Sequence, residues 1–317
     1  MTDQGDHAVL ALDPETVSPA DVSPETLQSG LDCADNRTRV HAARVAASVA
    51  TDDPDAVAGL VPTFVDALED ERTLVVVHSS LALRAVAESD PTAVEPAVDS
   101  LVDCLGRDAP VVQAGAAEVM KQFLSADVGP FIDELDRLVE YVVSEPADGL
   151  ADGVAPTDGR APGDDVRQAA LETTLEDDRE RRRHARIVVA NLVAELATVA
   201  PERVAPHVPE LSSVLDPERD DAATLTTVAD VIATVAEHDP DAAAAAVDPL
   251  VDVLDHPDLT TVATSITALG YVGDPAAAES IRTVAAERDD EDLCALAAET
   301  AAFLDPNADT AAGNSSV

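Results

Sequence analysis

Histidines, cysteines and one arginine cluster are the side chains of this sequence best suited to chemistry. The seven histidines are His7, His41, His78, His184, His207, His238 and His256, and none is followed by glutamate. Cys33, Cys104 and Cys294 stand far apart without CxxC spacing, which favours buried free thiols over a disulfide framework or a zinc site. No nucleophile elbow, phosphate loop or dinucleotide fingerprint occurs. We therefore expect no catalytic site, metal or cofactor, and a protein that is not an enzyme.

The arginine cluster, DDRERRRHAR at 177–186, stands in a chain whose formal net charge is −44. Nucleic-acid binding needs many cations to neutralise phosphates and aromatic side chains for stacking. The chain has 19 cationic side chains and 2% aromatics, so a nucleic-acid binder is disfavoured. Arginines at a helix N-terminus would also oppose the helix dipole, which predicts a helix that begins earlier, near Val166.

Inside such a helix the arginines have acidic neighbours one turn away. The predicted pairs are Asp177–Arg181 and Asp178–Arg182 at i+4, and Glu176–Arg179 and Glu180–Arg183 at i+3. The cluster is then neutral overall. Only Arg186 lacks a local partner, so it is the one cation of the cluster that we expect to contact a ligand.

The acidic composition concerns the solvent in which the protein works. Acids outnumber bases 63 to 19, and such a surface repels itself strongly at low ionic strength. Abundant Asp with a single lysine, Lys121, resembles the composition of proteins from extreme halophiles. The N-terminus has no basic region followed by an apolar one, and no apolar run approaches the ~18 residues of a membrane span. We expect a cytoplasmic protein.

Internal repeats organise the chain. The turn TDDPDAV at 51–57 recurs with variations, and its prolines are Pro54, Pro91, Pro201, Pro240 and Pro275, with steps of 37, 39 and 35 between adjacent units. One further unit is centred near Val128, and an insertion follows it. Apolar residues recur at offsets 3, 7, 10 and 14 after the proline, the spacing of one helix face, and at 9 and 5 residues before it. The pattern predicts two amphipathic helices per unit.

The turn between these helices has a definite residue pattern. Asp53, Asp90, Asp239 and Asp274 precede the proline, where we expect an aspartate N-cap followed by proline at the first helical position. Helix pairs of about 37 residues with a proline turn resemble HEAT repeats and, more loosely, armadillo repeats. The resemblance implies an all-α, right-handed α-α superhelix (solenoid) of about six units with capping helices. The basic residue typical of the family's second helix has no counterpart, which puts the usual Asp-to-Arg ladder in doubt.

The predicted organisation has five segments. Residues 1–35 form an N-terminal segment with a capping helix from about Pro24 to Leu31, and 36–145 form repeats 1–3. Residues 146–177 hold an insertion and the start of a helix. The acidic Gly/Pro-rich loop of the insertion is the stretch 145–165. Residues 178–304 form repeats 4–6 and a C-terminal cap, and 305–317 a disordered tail. The loop lacks the ligand spacing of a calcium site.

Two histidines, His41 and His78, share one repeat position, 13 residues before the proline. Gly115 and Val188 take that position in the next units, so a third metal ligand is missing, and half-exposed helix histidines are expected. The resemblance points to one HEAT-repeat enzyme, deoxyhypusine hydroxylase, whose iron-binding His-Glu pairs are absent from this sequence.

The candidate partner surface is a column of acids at offset 12, next to the buried stripe of the second helices. Its members are Asp66, Asp103, Glu140 and Asp252, with Ser213 in the fourth unit. In HEAT-type solenoids the second helices usually line the concave face, so this column would suit a basic protein segment. The alternative is a solvated face, since any exposed column of this chain would be acidic.

The function that these features favour is a non-enzymatic scaffold or adaptor that binds protein partners in a high-salt cytoplasm. An accessory subunit or degenerate relative of a HEAT-containing enzyme, of the phycobilin-lyase or hydroxylase type, is the alternative. A nucleic-acid-binding protein ranks third. No membrane partner is expected, and the oligomeric state is open.

Overall fold

A computed structural model describes residues 8–144 and 164–306 of the 317-residue chain, with side chains for 8–144 and 173–306. The helices are α1 (Pro24–Leu31), α2 (Asn36–Asp52), α3 (Val61–Leu68), α4 (Thr73–Ser89), α5 (Val98–Leu105), α6 (Pro110–Met120), α7 (Leu135–Val143), α8 (Asp164–Val199), α9 (Pro201–Val204), α10 (Val208–Ser212), α11 (Ala222–His238), α12 (Val247–Asp252), α13 (Leu259–Val272), α14 (Ala278–Glu287) and α15 (Glu291–Leu304). The described residues contain no strand. The fold is all-α, as the repeats predicted.

Some predictions fall on other parts of the chain. His7, nearly all of the acidic insertion loop and nearly all of the predicted tail lie outside the described residues. Among the helices of the described ranges, none combines the length and the hydropathy that crossing a membrane requires.

The chain divides into two compact units. One unit comprises Met1–Pro130 and Glu145–Val188, and it contains α1 to α6 and most of α8. The other comprises Phe131–Ser144 and Val189–Val317, and it contains α7, the end of α8 and α9 to α15. In each unit, successive first helices of the repeats pack side by side, as α2 does on α4 and α11 on α13.

Three of the long first helices, α2, α11 and α13, begin at aspartate caps. Asp35 accepts a hydrogen bond from the backbone N–H of Thr38 at 3.0 Å, and the Thr38 hydroxyl donates to the same carboxylate at 2.9 Å. Asp221 and Asp258 make the same pair of bonds with Thr224 and Thr261. These threonines are buried, so their hydroxyls need a partner, and the cap aspartate supplies it.

The proline turns differ in part from the prediction. Asp90, Asp239 and Asp274 accept backbone N–H groups as expected of N-caps, at 3.1, 3.3 and 2.9 Å. Asp53 occupies the same N-cap position, but the predicted hydrogen bond is wrong for it, because no described backbone N–H donates to its side chain. The caps at Asp90 and Asp274 open 3₁₀ segments, Pro91–Ala97 and Pro275–Ala277, rather than α-helices.

Second helices are consequently shorter than the pattern predicted. In α3, α5, α10 and α12 the α-helix begins at offset 7 from the turn proline, at Val61, Val98, Val208 and Val247. A second proline lies at or near each of these junctions, at Pro62, Pro96, Pro206 and Pro249. Because a proline in a helix interior removes a hydrogen bond to the residue four positions earlier, one α-helix cannot run from the turn proline through the second proline, and the α-helix begins within one turn of it.

The predicted core positions are confirmed. All residues assigned to offsets 3, 7, 10 and 14 are buried, and at offset 10 Phe64, Leu101, Leu138, Leu211 and Leu250 have no exposed surface. The positions 9 and 5 residues before the proline are equally buried, except Gly270. The core therefore consists mainly of alanine, valine and leucine side chains from both helices of each repeat, with single phenylalanines such as Phe64.

The helix that carries the arginine cluster begins early, as predicted. Helix α8 spans Asp164–Val199, so residues 177–186 lie in its interior. C-terminal to the cluster, α8 continues to Val199, and α9 begins at Pro201. The cluster is thereby removed from the helix N-terminus, where its charges would oppose the dipole.

Candidate functional site

The predicted acidic column consists of exposed residues on second helices. Asp66 on α3 and Asp103 on α5 belong to the first unit, and both side chains face solvent. Helices α3 and α5 are packed against each other, so these carboxylates occupy equivalent places on neighbouring helices. Glu140 on α7 and Asp252 on α12 belong to the second unit and are exposed as well. All four residues are exposed.

The second unit forms a cleft at Asp252. Its volume is about 280 Å³, and it lies between α12 with its following turn and α14. Asp252, Asp255 and Glu287 contribute carboxylates, and Ser280 and Thr283 contribute hydroxyls. Such a lining of acceptors suits a lysine or arginine side chain of an extended segment.

Arg288 also lines this cleft, but its guanidinium is already engaged. Nη2 donates to the carbonyl oxygens of Leu254 and His256, both at 2.9 Å. These carbonyls follow the second helix of the preceding repeat, at offsets 14 and 16 from its proline. Arg288 therefore joins two repeats, and its positive charge offsets one of the three carboxylates, so the cleft keeps a net negative charge.

In the first unit, side chains donate to the carbonyl oxygens at the equivalent repeat positions. Arg107 donates to the carbonyls of Leu68 at 2.7 Å and Asp70 at 3.1 Å, again at offsets 14 and 16. Gln113 donates to the corresponding carbonyls of the next repeat, Leu105 at 3.0 Å and Arg107 at 2.8 Å. A side-chain donor of the following repeat thus takes the place of the family's expected ladder. Because the donors do not share one offset, the repeat pattern of the sequence does not reveal them.

The arginine cluster pairs differently from the prediction. Arg181 donates to Asp178 at 2.9 Å, three residues away, rather than to Asp177. Arg182 contacts Asp108, 74 residues earlier in the chain, at 3.5 Å rather than Asp178. The i+4 register failed for Arg182 because α8 packs beside the turn before α6, where the carboxylate of Asp108 competes. Arg181 stays paired within its own helix, at i−3 instead of i−4.

Arg186 is removed from the candidate partner-binding residues. The residue is 7% exposed, and its side chain has interactions within the protein. A charged group so placed cannot reach a partner on the surface. The expectation that Arg186 would contact a ligand rested on its lack of a partner in the local sequence, where the contacts of a buried side chain are not visible.

The histidines and cysteines form no metal-binding cluster within the described ranges. Nε2 of His41 lies 2.9 Å from the carbonyl oxygen of Leu12, to which it donates. His78, at the same repeat position, is half-buried, and burial together with the charge of Arg44 lowers its pKa. Cys104 is buried, and that burial raises the pKa of its thiol to about 11.

A second groove, in the first unit, was missed by the sequence analysis. It measures about 690 Å³ and lies between α2 and the start of α4. Arg37, His41, Arg44 and Arg72 line it, with Glu71 as its single carboxylate. The signal in the sequence is Arg72, which stands at the N-cap of α4, where α2, α11, α13 and α15 have aspartate.

Comparison with known proteins supports the fold. A crystal structure of an engineered protein superimposes with a TM-score of 0.61 at 19% identity, over 94% of this chain and 71% of the other. A computationally designed armadillo repeat protein for modular peptide recognition gives a TM-score of 0.54 at 14% identity, over 79% and 99% of the two chains. Another designed armadillo repeat protein gives 0.50 at 14% identity, over 79% and 100%.

These similarities establish an all-α helical-repeat solenoid as the fold class. No family profile and no curated protein sequence matches the chain.

Proposed function

We propose that this protein is a non-enzymatic scaffold that binds basic segments of protein partners along the second helices of its repeats. The observation that carries the proposal is the cleft at Asp252, in which Asp255 and Glu287 add two further carboxylates around a space of about 280 Å³. The exposed Asp66 and Asp103 supply the equivalent charge on α3 and α5. Glu140 extends the same repeat position to α7.

The fold gives this proposal its context. Solenoids present extended faces to partners, and one similar designed protein is described as made for modular peptide recognition. Carboxylates that pair with lysine or arginine side chains on binding make charge-assisted hydrogen bonds. In molar salt the Debye length falls to about 3 Å, so only pairs in direct contact contribute.

A peptide titration tests the proposal. A fluorescein-labelled peptide that alternates lysine with alanine is titrated with the full chain, and anisotropy reports binding. The double variant Asp252→Asn/Glu287→Gln is expected to weaken binding by about tenfold, which corresponds to ~1.4 kcal/mol. Asp66→Asn/Asp103→Asn tests the first unit in the same way.

The matched control is Asp55→Asn/Asp241→Asn, which removes two charges from exposed positions outside the column. Binding that falls equally in the control and the column variants would show a general charge effect and contradict the proposal. So would a peptide of alternating glutamine and alanine that binds as tightly as the lysine peptide.

The alternative is an accessory subunit of a HEAT-containing enzyme, and it calls for a different observation. Isolation of the tagged chain from its native host in molar KCl, followed by mass spectrometry, identifies the proteins that stay bound. A stoichiometric enzyme would favour the accessory role. Several partners that share lysine- or arginine-rich segments would favour the scaffold.

We further propose that the protein works in a salt-filled cytoplasm. The supporting observation is the formal net charge of −44, whose self-repulsion salt would screen. The melting temperature, followed by circular dichroism, is expected to rise as KCl increases from about 0.1 M to about 1 M. A melting temperature that falls or stays constant over that range would contradict adaptation to salt.

A further inference from the structure

We propose that the groove between α2 and the start of α4 binds an acidic peptide segment of a protein partner. This surface is distinct from the acidic column, because it lies on the first helices of the repeats and has the opposite charge. The groove contains three arginines and one carboxylate, Glu71, in a chain where acids outnumber bases 63 to 19. Its volume of about 690 Å³ lies within the range of about 300–1,000 Å³ typical of ligand sites.

The arginines of the groove are available for a ligand. Arg37 is exposed, and no described residue forms a hydrogen bond or salt bridge with its side chain. Arg44 contacts Glu15 at 3.2 Å, with side chains 52% and 77% exposed. Arg72 contacts its neighbour Glu71 at 4.0 Å, with side chains 55% and 75% exposed. Ion pairs so exposed contribute little to stability, so carboxylates of a partner can replace them.

Other arginines are committed to the protein itself. Arg39 pairs with Asp70 at 2.6 Å, with side chains 16% and 9% exposed. Arg107 and Arg288 donate to the carbonyl pairs of neighbouring repeats. In a chain with so few cations, three arginines that line one groove without such commitments indicate a surface for carboxylates. Their planar donors suit bidentate bonds to carboxylate groups.

The start of α4 adds to this preference for anions. Arg72 stands at its N-cap without a side-chain hydrogen bond to the first turn, and Thr73 and Leu74 of that turn line the groove. A cation at this end of a helix opposes the helix dipole, which destabilises the first turn. A carboxylate that binds Arg72 there would offset that cost.

Apolar side chains indicate a peptide rather than a small anion. Leu74 is 56% exposed at one side of the groove, and the half-buried Val40 lies in its lining. A segment with an apolar side chain between carboxylates would cover Leu74 while its charges meet Arg37, Arg44 and Arg72. Inorganic phosphate would leave Leu74 exposed.

Fluorescence anisotropy with a labelled Glu-Glu-Leu-Glu-Glu peptide tests the proposal on the full chain. The titration is run at the lowest KCl concentration at which circular dichroism still shows the full helical signal. The double variant Arg37→Gln/Arg72→Gln is expected to weaken binding by about tenfold or more. Binding by the unmodified chain is expected to weaken as KCl rises, because the charges in the groove are exposed.

A matched control separates the groove from net charge. Arg203→Gln/Arg219→Gln also removes two positive charges, from side chains 53% and 54% exposed in the second unit. The control is expected to bind the peptide like the unmodified chain. Leu74→Ser is expected to weaken binding of the leucine-containing peptide but not of an all-glutamate peptide.

Several outcomes would overturn the proposal. They are equal loss of binding in the control, equal binding of a Gln-Gln-Leu-Gln-Gln peptide, and absence of binding by a chain with its full helical signal. Displacement of the peptide by inorganic phosphate at equal concentration would assign the groove to a small anion instead. Tighter binding of labelled duplex DNA through the same arginines would assign it to nucleic acid. Arginine-dependent dimerisation in sedimentation velocity, with no peptide binding, would assign it to a second copy of the chain.

Discussion

Nε of Arg39 donates to Oδ2 of Asp70 over 2.6 Å, and this ion pair joins helix α2 to the turn that precedes α4. Both side chains are largely buried, and Arg39 also donates to the carbonyl oxygens of Cys33 and Ala34. Asp70 accepts the backbone N–H of Arg72 at 2.7 Å as well. The pair thus fixes the position at which α4 begins, and with it one side of the arginine-lined groove.

The protonation of Asp70 is expected to weaken the fold. Burial acts to raise the pKa of Asp70, but hydrogen bonds from Arg39 and the backbone N–H of Arg72, with the charges of both arginines, lower it overall. Its stabilising contribution is therefore present above the ordinary pKa of about 3.9 and is lost as the pH falls through the lower pKa of the folded state. Asp70→Asn is expected to lower the free energy of unfolding at pH 7 by about 1.5–3 kcal/mol.

Urea unfolding of Asp70→Asn and the unmodified chain, at neutral and at acidic pH, checks this expectation. The difference between the two chains should shrink as the pH falls below the ordinary aspartate range. Asp55→Asn serves as the control, since Asp55 is exposed. If the difference in the free energy of unfolding between the two chains does not change with pH, the charge of Asp70 does not contribute to stability and the prediction is contradicted.

The hydrogen bonds from Arg107 to the preceding repeat give a second prediction. Arg107→Met keeps much of the length of the side chain but leaves the carbonyls of Leu68 and Asp70 without their donor. The free energy of unfolding is expected to fall by about 1.5–3 kcal/mol, the range for hydrogen bonds of charged groups. Arg44→Met, at an exposed pair, is expected to change it by less than about 1 kcal/mol. Both free energies of unfolding are measured with urea. Equal losses in the two variants would show that the hydrogen bonds from Arg107 to the preceding repeat add no particular stability.

His78 is expected to titrate below the ordinary histidine pKa of about 6.5. Burial of the ring is the first cause of the lowered pKa, and the charge of Arg44 is the second. Since the folded state disfavours the protonated ring, stability is expected to decrease as the pH falls through 6.5 and to be undiminished above it. Proton NMR of the imidazole measures the midpoint, and Arg44→Gln should move it upward. A midpoint at or above 6.5 in the unmodified chain would contradict the assignment.

The three thiols are expected to differ in reactivity. Burial raises the pKa of Cys104 to about 11, whereas Cys33 and Cys294 are partly exposed. Because the thiolate is the nucleophile, iodoacetamide at mildly alkaline pH should alkylate Cys33 and Cys294 before Cys104. Peptide mass spectrometry over a time course gives the order. Alkylation of Cys104 at the rate found in the denatured chain would show that its helix opens readily.

The sequence determined the helical repeat and its core. Apolar spacing is a local property of the chain, so the positions of Phe64, Leu101 and Leu138 followed from counting along the turns, and burial confirms them. The early start of α8 followed from the cost of arginines at a helix N-terminus. The short second helices were missed because the second prolines were not weighed against the apolar pattern.

Tertiary structure alone decided which charged groups meet. The contacts Arg39–Asp70 and Arg182–Asp108 join residues 31 and 74 positions apart, and Arg186 is buried although it belongs to a cluster of charged residues. Helix periodicity places a side chain on a face, but the neighbour across that face depends on how the helices pack. The cleft at Asp252 and the groove between α2 and the start of α4 have the same origin, since side chains from helices of adjacent repeats form each of them. The net charge of the chain therefore follows from its composition, whereas the clusters of charged side chains that could bind a partner are formed only when the helices pack.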